Sequence, residues 1–64
     1  MNKIYSLGID VGSTTVKTVI LDGENIIYNK YERHFSKVRE TVGEQLRLIR
    51  ELYPTETFKI AITG

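Results

Sequence analysis

The chain has 64 residues, of which 41% are apolar and 27% charged, so two domains, a deep enclosed active site and disorder are all excluded. It contains no cysteine, which excludes disulfides, thiolate zinc sites and an iron–sulfur cluster held by these residues. Nine basic and eight acidic residues give a net charge of +1, too balanced for a nucleic-acid-binding protein.

Three strands are predicted in the first half of the chain. Ile4–Val11 is short and rich in branched apolar residues, a pattern typical of a largely buried strand. Residues 15–21 are dense in β-branched residues and precede Asp22-Gly23, a strong hairpin signal. Asn25–Arg33 alternates between two faces, and one face turns polar toward its far end, as in an outer strand of a sheet.

A helix and a fourth strand are predicted in the second half. Ser36 is the predicted N-cap, and Pro54 is expected to stop the helix shortly after Tyr53. Gly43 lies inside this helix, which favours close packing against the sheet at that point. The fourth strand spans residues 58–63. Steps of three and four residues define the apolar face of the helix: Val38, Val42, Leu46, Ile49 and Leu52 or Tyr53.

The predicted element order is β-β-β-α-β, an α/β fold with a mixed sheet. A right-handed helical crossover would return the last strand parallel to the first strand, which is then central. One helix can cover only one face, so the face that carries Val19 and Leu21 has nothing to bury it. We therefore expect half of a domain, whose uncovered sheet face could mediate self-association.

The residues best suited to chemistry lie at the end of the first strand. Asp10 ends a strand predicted to be buried, where a divalent cation is a natural compensator for a carboxylate. Gly12 permits a close backbone approach, and the three residues after it offer hydroxyls and N–H donors that could wrap a phosphate. Lys17 could add positive charge. The candidate phosphate-binding residues are Gly12, Ser13, Thr14, Thr15 and Lys17.

The residue pattern alone leaves a phosphate loop and an ordinary hairpin connection open. Gly-Ser-Thr is common in turns, and an aspartate before a turn often accepts backbone hydrogen bonds. The segment has no P-loop pattern, and the strand that follows it excludes a dinucleotide fingerprint. His34 is interpreted as a solvated or locally bonded histidine. The four tyrosines are interpreted as packing residues: Tyr5, Tyr28, Tyr31 and Tyr53.

Three segments carry a family resemblance: Ser6-Leu7-Gly8-Ile9-Asp10-Val11-Gly12-Ser13-Thr14-Thr15-Val16-Lys17, Tyr31-Glu32-Arg33-His34 and Ile62-Thr63-Gly64. The first resembles the first phosphate motif of the actin, Hsp70 and sugar-kinase ATPase superfamily, which opens with β-β-β-α-β on a ribonuclease H-like fold. Together the segments look most like the BadF/BadG/BcrA/BcrD group. That group contains the activator ATPases of 2-hydroxyacyl-CoA dehydratases and benzoyl-CoA reductases.

The resemblance implies that residues 1–64 are the N-terminal part of an actin-like ATPase domain, cut after the fourth strand. It implies that Asp10 holds Mg²⁺, usually through water, and that residues 12–15 bind the terminal phosphates of the nucleotide, β and γ in ATP and β in ADP, with Lys17 as a further contact. Thr63-Gly64 would begin a second glycine-rich loop near the nucleotide. A [4Fe-4S] cluster would belong to the remainder of the parent chain, because the family's cluster cysteines lie further along.

These implications lead to one functional expectation. The chain is expected to be the nucleotide-phosphate-binding segment of an activator ATPase that couples Mg-ATP hydrolysis to electron transfer into a 2-hydroxyacyl-CoA dehydratase or related reductase. Its expected partners are a nucleotide, the remainder of the parent chain and the dehydratase or reductase component. No catalytic residue is assigned, and the segment alone is expected to be inactive, because the superfamily binds its nucleotide between two lobes.

Two alternatives share the same residues. One is a half-domain of a sugar or acetate kinase, and the other is a small non-catalytic interaction module. A ribonuclease H nuclease is disfavoured because a two-metal site needs several carboxylates, and Asp10 alone lies at a suitable strand end. Without a signal-peptide pattern or a run of roughly 20 apolar residues, the expected location is the cytoplasm, with no membrane partner.

Overall fold

Two tight connections fold the first half of the chain into an antiparallel meander. In the structure, a computed structural model that describes residues 4–63, β1 (Ile4–Val11) pairs with β2 (Thr15–Asp22), and β2 pairs with β3 (Asn25–Arg33). The β2–β3 connection contains Gly23, whose φ of +64° is a conformation that glycine adopts without steric cost. The meander is therefore held by local hairpins.

A helical crossover adds the last strand. α1 (Val38–Leu52) crosses one face of the sheet, and β4 (Thr57–Thr63) then pairs parallel with β1. The strand order is β3-β2-β1-β4. The structure confirms the predicted α/β fold, its mixed sheet and its β-β-β-α-β order, with the first strand inside the sheet and the third at an edge.

The hydrophobic core lies between α1 and the helix-facing side of β1 and β2. At the end of the sheet where β1 begins, the rings of Tyr5, Tyr53 and Phe58 pack together with centroids 5.6 to 6.2 Å apart. Edge-to-face and tilted ring contacts of this kind stabilise beyond the area that they bury. The apolar side chains with the least exposure, at most 2%, are Leu7, Ile9, Val16, Ile20 and Ile49.

The helix begins later than predicted. Its N-cap is Lys37, and no side chain within the described chain caps it. The prediction of Ser36 as N-cap is wrong, because Ser36 lies in a turn before the helix, with φ of +67° after Phe35 at +49°. The other end agrees with the sequence: the Tyr53 N–H donates to the Ile49 carbonyl at 2.8 Å, and Pro54 follows.

The buried face of α1 is more polar than the predicted stripe. Thr41, Gln45 and Ile49 are its buried residues, at successive intervals of four. Of the two alternatives for the last position of the stripe, Tyr53 packs against the core, and Leu52 is 58% exposed. Val42, Leu46 and Tyr53 are half-buried against the core, and Val38 is half-buried at the start of the helix.

Polar side chains are buried on this face because each has a hydrogen-bonding partner. The Thr41 hydroxyl donates to the Lys37 carbonyl at 2.8 Å. Gln45 links the helix to two strands: its Oε1 accepts from the Thr18 hydroxyl, and its Nε2 donates to Glu32 Oε1 at 3.3 Å. A buried amide with both ends engaged avoids the cost of an unsatisfied polar group.

The opposite face of the sheet has no cover within residues 4–63, as the element order predicted. Ser6, Gly8 and Lys17 are exposed there, while Val19 and Leu21 are half-buried. The packing prediction for the tyrosines is wrong at Tyr31, which is 70% exposed because it lies on this face of an edge strand.

The outer strand β4 is also poorly covered on the helix side. Ile60 and Ile62 are 58% and 64% exposed, although they share a face with buried residues of β1. The helix packs over β1 and β2 and leaves this edge open. In the described part of the chain, no helix is long and apolar enough to cross a membrane.

The position of the core boundary predicts that isoleucine-to-valine substitutions at two sites change the free energy of unfolding by different amounts. Ile49→Val should lower the free energy of unfolding by about 1 kcal/mol, because it leaves a methyl-sized void in a closed core. Ile60→Val, the matched control, should change it by less than about 0.5 kcal/mol because Ile60 is largely in water. Urea denaturation measures both, and equal losses would contradict this packing arrangement.

Gly43 gives a second stability prediction and corrects an expectation. A Cβ built on Gly43 meets no atom within 4 Å, so the predicted close packing against the sheet is wrong. Gly43→Ala should therefore stabilise the protein by about 0.5–1 kcal/mol, since alanine is the better helix former. Gly23→Ala should destabilise it by about 1 kcal/mol because of the positive φ. Thermal unfolding compares them, and a loss on Gly43→Ala would indicate a contact not present in this structure.

Candidate functional site

The predicted site lies at one end of the sheet, where several elements meet. β1, β3 and β4 end there, and β2 begins there, as the pairs Val11↔Val16, Thr15↔Arg33 and Asp10↔Thr63 show. Residues 12–14 form the loop that connects β1 to β2. Side chains from three strand ends therefore lie at the same end of the sheet as this loop.

Hydrogen bonds from within the chain fix the loop. The Gly12 N–H donates to the Thr15 carbonyl at 2.8 Å. The backbone N–H of His34 donates to the Thr14 carbonyl at 3.0 Å, and its ring Nε2 lies 3.1 Å from the Gly12 carbonyl. Two loop carbonyls, of Gly12 and Thr14, and the Thr15 carbonyl at the start of β2 thus have partners on the protein side.

The loop's remaining donors are not used by the protein. Ser13 and Thr14 are exposed, and their backbone N–H groups find no acceptor among residues 4–63. Two consecutive free N–H groups and two hydroxyls form a concentration of donors of the kind that binds an anion. Thr15 differs, because it is half-buried at the start of β2 and its carbonyl is already engaged.

Asp10 and Lys17 face each other across β1 and β2 on the uncovered side of the sheet. The carboxylate of Asp10 accepts from the Thr63 hydroxyl at 3.4 Å. Neither Asp10 nor Lys17 takes part in a salt bridge within the described residues. The expectation that Asp10 is a buried charge is wrong: it is exposed, because nothing within residues 4–63 covers this face.

The exposure of Asp10 changes the argument for a metal ion. A cation is not needed to offset desolvation of this carboxylate, and across residues 4–63 no group of three or more His, Cys, Asp or Glu could hold a metal. Mg²⁺, however, commonly keeps several waters and binds one or two carboxylates together with phosphate oxygens. The donor set therefore fits a magnesium ion that arrives with a phosphate, and does not fit a resident metal site.

The candidate residues border two open depressions of about 270 Å³ each. Lys17 lies in the same depression as Asp10, apart from the loop hydroxyls, so it is placed to pair with the carboxylate more readily than with a loop-bound anion. The first depression is lined by Ser13, Thr14, Arg33, His34, Phe35 and Ser36. The second is lined by Gly8, Ile9, Asp10, Lys17, Val19, Ala61 and Thr63.

Two residues at the loop were not predicted as site residues. Arg33 is exposed, pairs with Thr15 and borders the loop, so it is the cation nearest to Ser13 and Thr14 in the strand pairing. His34 is only 5% exposed and is locally bonded, the second of its two predicted states. The Asp22-Gly23 hairpin signal could have placed both residues near the loop. The face of the sheet on which each side chain lies depends on an irregularity in β3, which the sequence does not reveal. Gly64, predicted to begin a second loop, lies outside the described residues.

No family model, curated protein or solved structure matches the chain.

The loop geometry makes a prediction about Gly12. An added Cβ would lie 3.4 Å from Thr15 Oγ1 and 3.5 Å from the Thr15 carbonyl oxygen, which are ordinary contacts. Gly12→Ala should therefore change the free energy of unfolding by less than about 1 kcal/mol. Gly8→Ala, where a Cβ meets nothing within 4 Å, is the control for a strand glycine. If Gly12→Ala costs far more than Gly8→Ala in urea denaturation, the loop is tighter than described.

Proposed function

We propose that this chain is the nucleotide-phosphate-binding segment of an activator ATPase on a ribonuclease H-like fold. The parent would couple Mg-ATP hydrolysis to electron transfer into a 2-hydroxyacyl-CoA dehydratase or related reductase. The observation that carries the proposal is the loop at residues 12–14, where the carbonyls of Gly12 and Thr14 are held by the protein and the N–H groups of Ser13 and Thr14 are free.

In this proposal the loop binds the terminal phosphates of the nucleotide. The N–H groups and hydroxyls of Ser13 and Thr14 donate to phosphate oxygens, and the exposed Arg33 adds a charge-assisted contact. Backbone donors suit this role because they are fixed in direction before the ligand arrives. The loop therefore loses little conformational entropy when it binds the ligand, which is an advantage of preorganised sites.

Asp10 would hold the magnesium ion that accompanies the phosphates. Its carboxylate is exposed at the same end of the sheet, and Thr63 can orient it through the 3.4 Å hydrogen bond. Magnesium would supply positive charge between the phosphate oxygens and so reduce their repulsion from the carboxylate. Lys17 would balance the same carboxylate when no magnesium is bound.

The segment would bind nucleotide without hydrolysing it. Phosphoryl transfer needs a positioned water and several groups that stabilise charge on the transferred phosphate. The described residues supply a phosphate loop and one carboxylate at this end of the sheet. By the resemblance, the second lobe of the parent supplies the other groups, and domain closure brings them to the phosphate.

A non-catalytic interaction module is the second candidate, and a specific observation favours it. Ile60 and Ile62 are exposed on the helix side of an edge strand, and the opposite sheet face, which carries Val19, has no cover within residues 4–63. Exposed apolar surfaces of this kind are typical of interfaces. A kinase half-domain would use the same loop.

ATP titration of the ¹⁵N-labelled chain tests the proposal. We expect saturable shifts in the amide signals of residues 12–15, with Mg-ATP binding more tightly than ATP. Asp10→Asn should weaken Mg-ATP binding by about tenfold and should strengthen the binding of ATP without Mg²⁺, because it removes a like charge next to the phosphates. This reversal of sign separates a metal-linked carboxylate from a merely structural one.

Glu24→Gln is the matched control, because it removes an exposed carboxylate at the opposite end of the sheet. The ratio of its affinities for Mg-ATP and ATP should equal that of the wild type. Shifts scattered over the sheet, or an Asp10→Asn effect of equal sign with and without Mg²⁺, would refute the proposed site.

A further inference from the structure

The imidazole of His34 is buried between the loop and the turn that leads into α1. Its Nδ1 accepts a hydrogen bond from the Ser36 backbone N–H at 3.0 Å, and its Nε2 lies 3.1 Å from the Gly12 carbonyl oxygen. The residue is 5% exposed. Both ring nitrogens therefore have protein partners, one on each side of the ring.

These partners determine the tautomer. A backbone N–H can only donate, so Nδ1 has to carry its lone pair, and the neutral ring then holds its proton on Nε2. A carbonyl oxygen can only accept, which agrees with Nε2–H donating to Gly12. The ring is therefore oriented by Ser36 and acts on Gly12.

The turn beyond His34 helps to fix the ring. Phe35 and Ser36 adopt φ of +49° and +67°, a left-handed conformation that costs free energy in residues other than glycine. The bond from Ser36 to Nδ1 and the bond from the Lys37 N–H to the His34 carbonyl, at 2.7 Å, stabilise this turn. The ring cannot turn away without losing the first of these bonds.

The hydrogen bond from His34 to the Gly12 carbonyl also fixes the direction of the Ser13 N–H. The carbonyl of Gly12 and the N–H of Ser13 belong to one planar trans peptide and point in opposite directions. With the oxygen held toward His34, the Ser13 N–H points away from His34, and it finds no acceptor among residues 4–63. If this peptide rotated, the carbonyl oxygen would replace the N–H there and would repel an anion.

We propose that His34 is a positioning residue of the phosphate loop, whose Nε2–H keeps the Ser13 N–H directed at a diphosphate or triphosphate group. The inference rests on the proposed function for the identity of the ligand, but its structural part stands on the hydrogen bonds alone. His34 touches no ligand in this role. It acts through the Gly12–Ser13 peptide.

Two substitutions separate the two ring nitrogens. His34→Gln can place an amide N–H near the position of Nε2 and keeps the donor to Gly12, while it lacks the acceptor for Ser36. His34→Asn can place an oxygen near the position of Nδ1 and keeps the acceptor, while it lacks the donor. We expect His34→Gln to bind inorganic pyrophosphate within about threefold of the wild type and His34→Asn to bind about tenfold more weakly.

The opposite ranking would overturn the proposal, because it would mean that His34 serves the turn at Ser36 and not the loop. Equal losses in both variants, with the amide signals of α1 and β4 retained, would also overturn it. Pyrophosphate binding is measured from the amide shifts of residues 12–15, as for ATP.

Measurements without ligand distinguish failure of this inference from failure of the proposed function. Long-range ¹H–¹⁵N spectra of the wild type should show the Nε2–H tautomer, and the ¹³C signal of the Gly12 carbonyl should move in His34→Asn more than in His34→Gln. If the wild type binds neither ATP nor pyrophosphate, the proposed function fails, and these signals still decide whether His34 positions the loop. A wild-type ring with its proton on Nδ1 would refute the inference even if one variant does not fold.

Discussion

One extra residue in β3 determines which of its side chains reach the helix and which reach the loop. Ile20 pairs with Tyr28 and Leu21 with Ile26, so Ile27 has no pairing partner in β2 and forms a β-bulge. A one-residue shift in a strand exchanges its two faces. With the bulge, Glu32 faces Gln45 of the helix, and Arg33 faces the uncovered side at the first residue of β2. Without it, these two charges would change places, and the loop would have an acidic neighbour in place of a basic one.

The elements of the fold could be predicted because their signals are local. Each strand and the helix shows its own periodicity, and Asp22-Gly23 and Pro54 mark boundaries in their immediate neighbourhood. The buried face of the helix could be predicted only in part. Gln45 is polar and is therefore not part of any apolar stripe. It is nevertheless buried, because Thr18, 27 residues away, supplies a hydrogen-bonding partner. Burial of a polar side chain depends on long-range pairing, which hydropathy does not contain.

The candidate site divides in the same way. Residues 10–15 are contiguous, so their position at and around one loop could be predicted from the end of the first strand. The exposure of Asp10 did not follow, because burial of a strand end depends on what packs on the sheet. Lys17 was placed correctly on the strand, but its neighbour is the carboxylate and not the loop. The roles of Arg33 and His34 depend on the bulge, and no sequence signal places an extra residue at Ile27.

Two parts of the site differ in the loop-closure entropy that their formation costs, because one of them depends on the helical crossover to β4. The bond between Gly12 and His34 spans 22 residues within adjacent hairpins, whereas the contact between Asp10 and Thr63 spans 53 residues and requires the helix to have returned the chain. Closing a longer loop costs more conformational entropy, and distant pairings form late in folding. The loop at residues 12–14 is therefore expected to assemble with the meander, while the hydrogen bond from Thr63 to Asp10 forms only with the last strand. A nascent chain would present the ordered loop at residues 12–14 before the carboxylate of Asp10 is oriented.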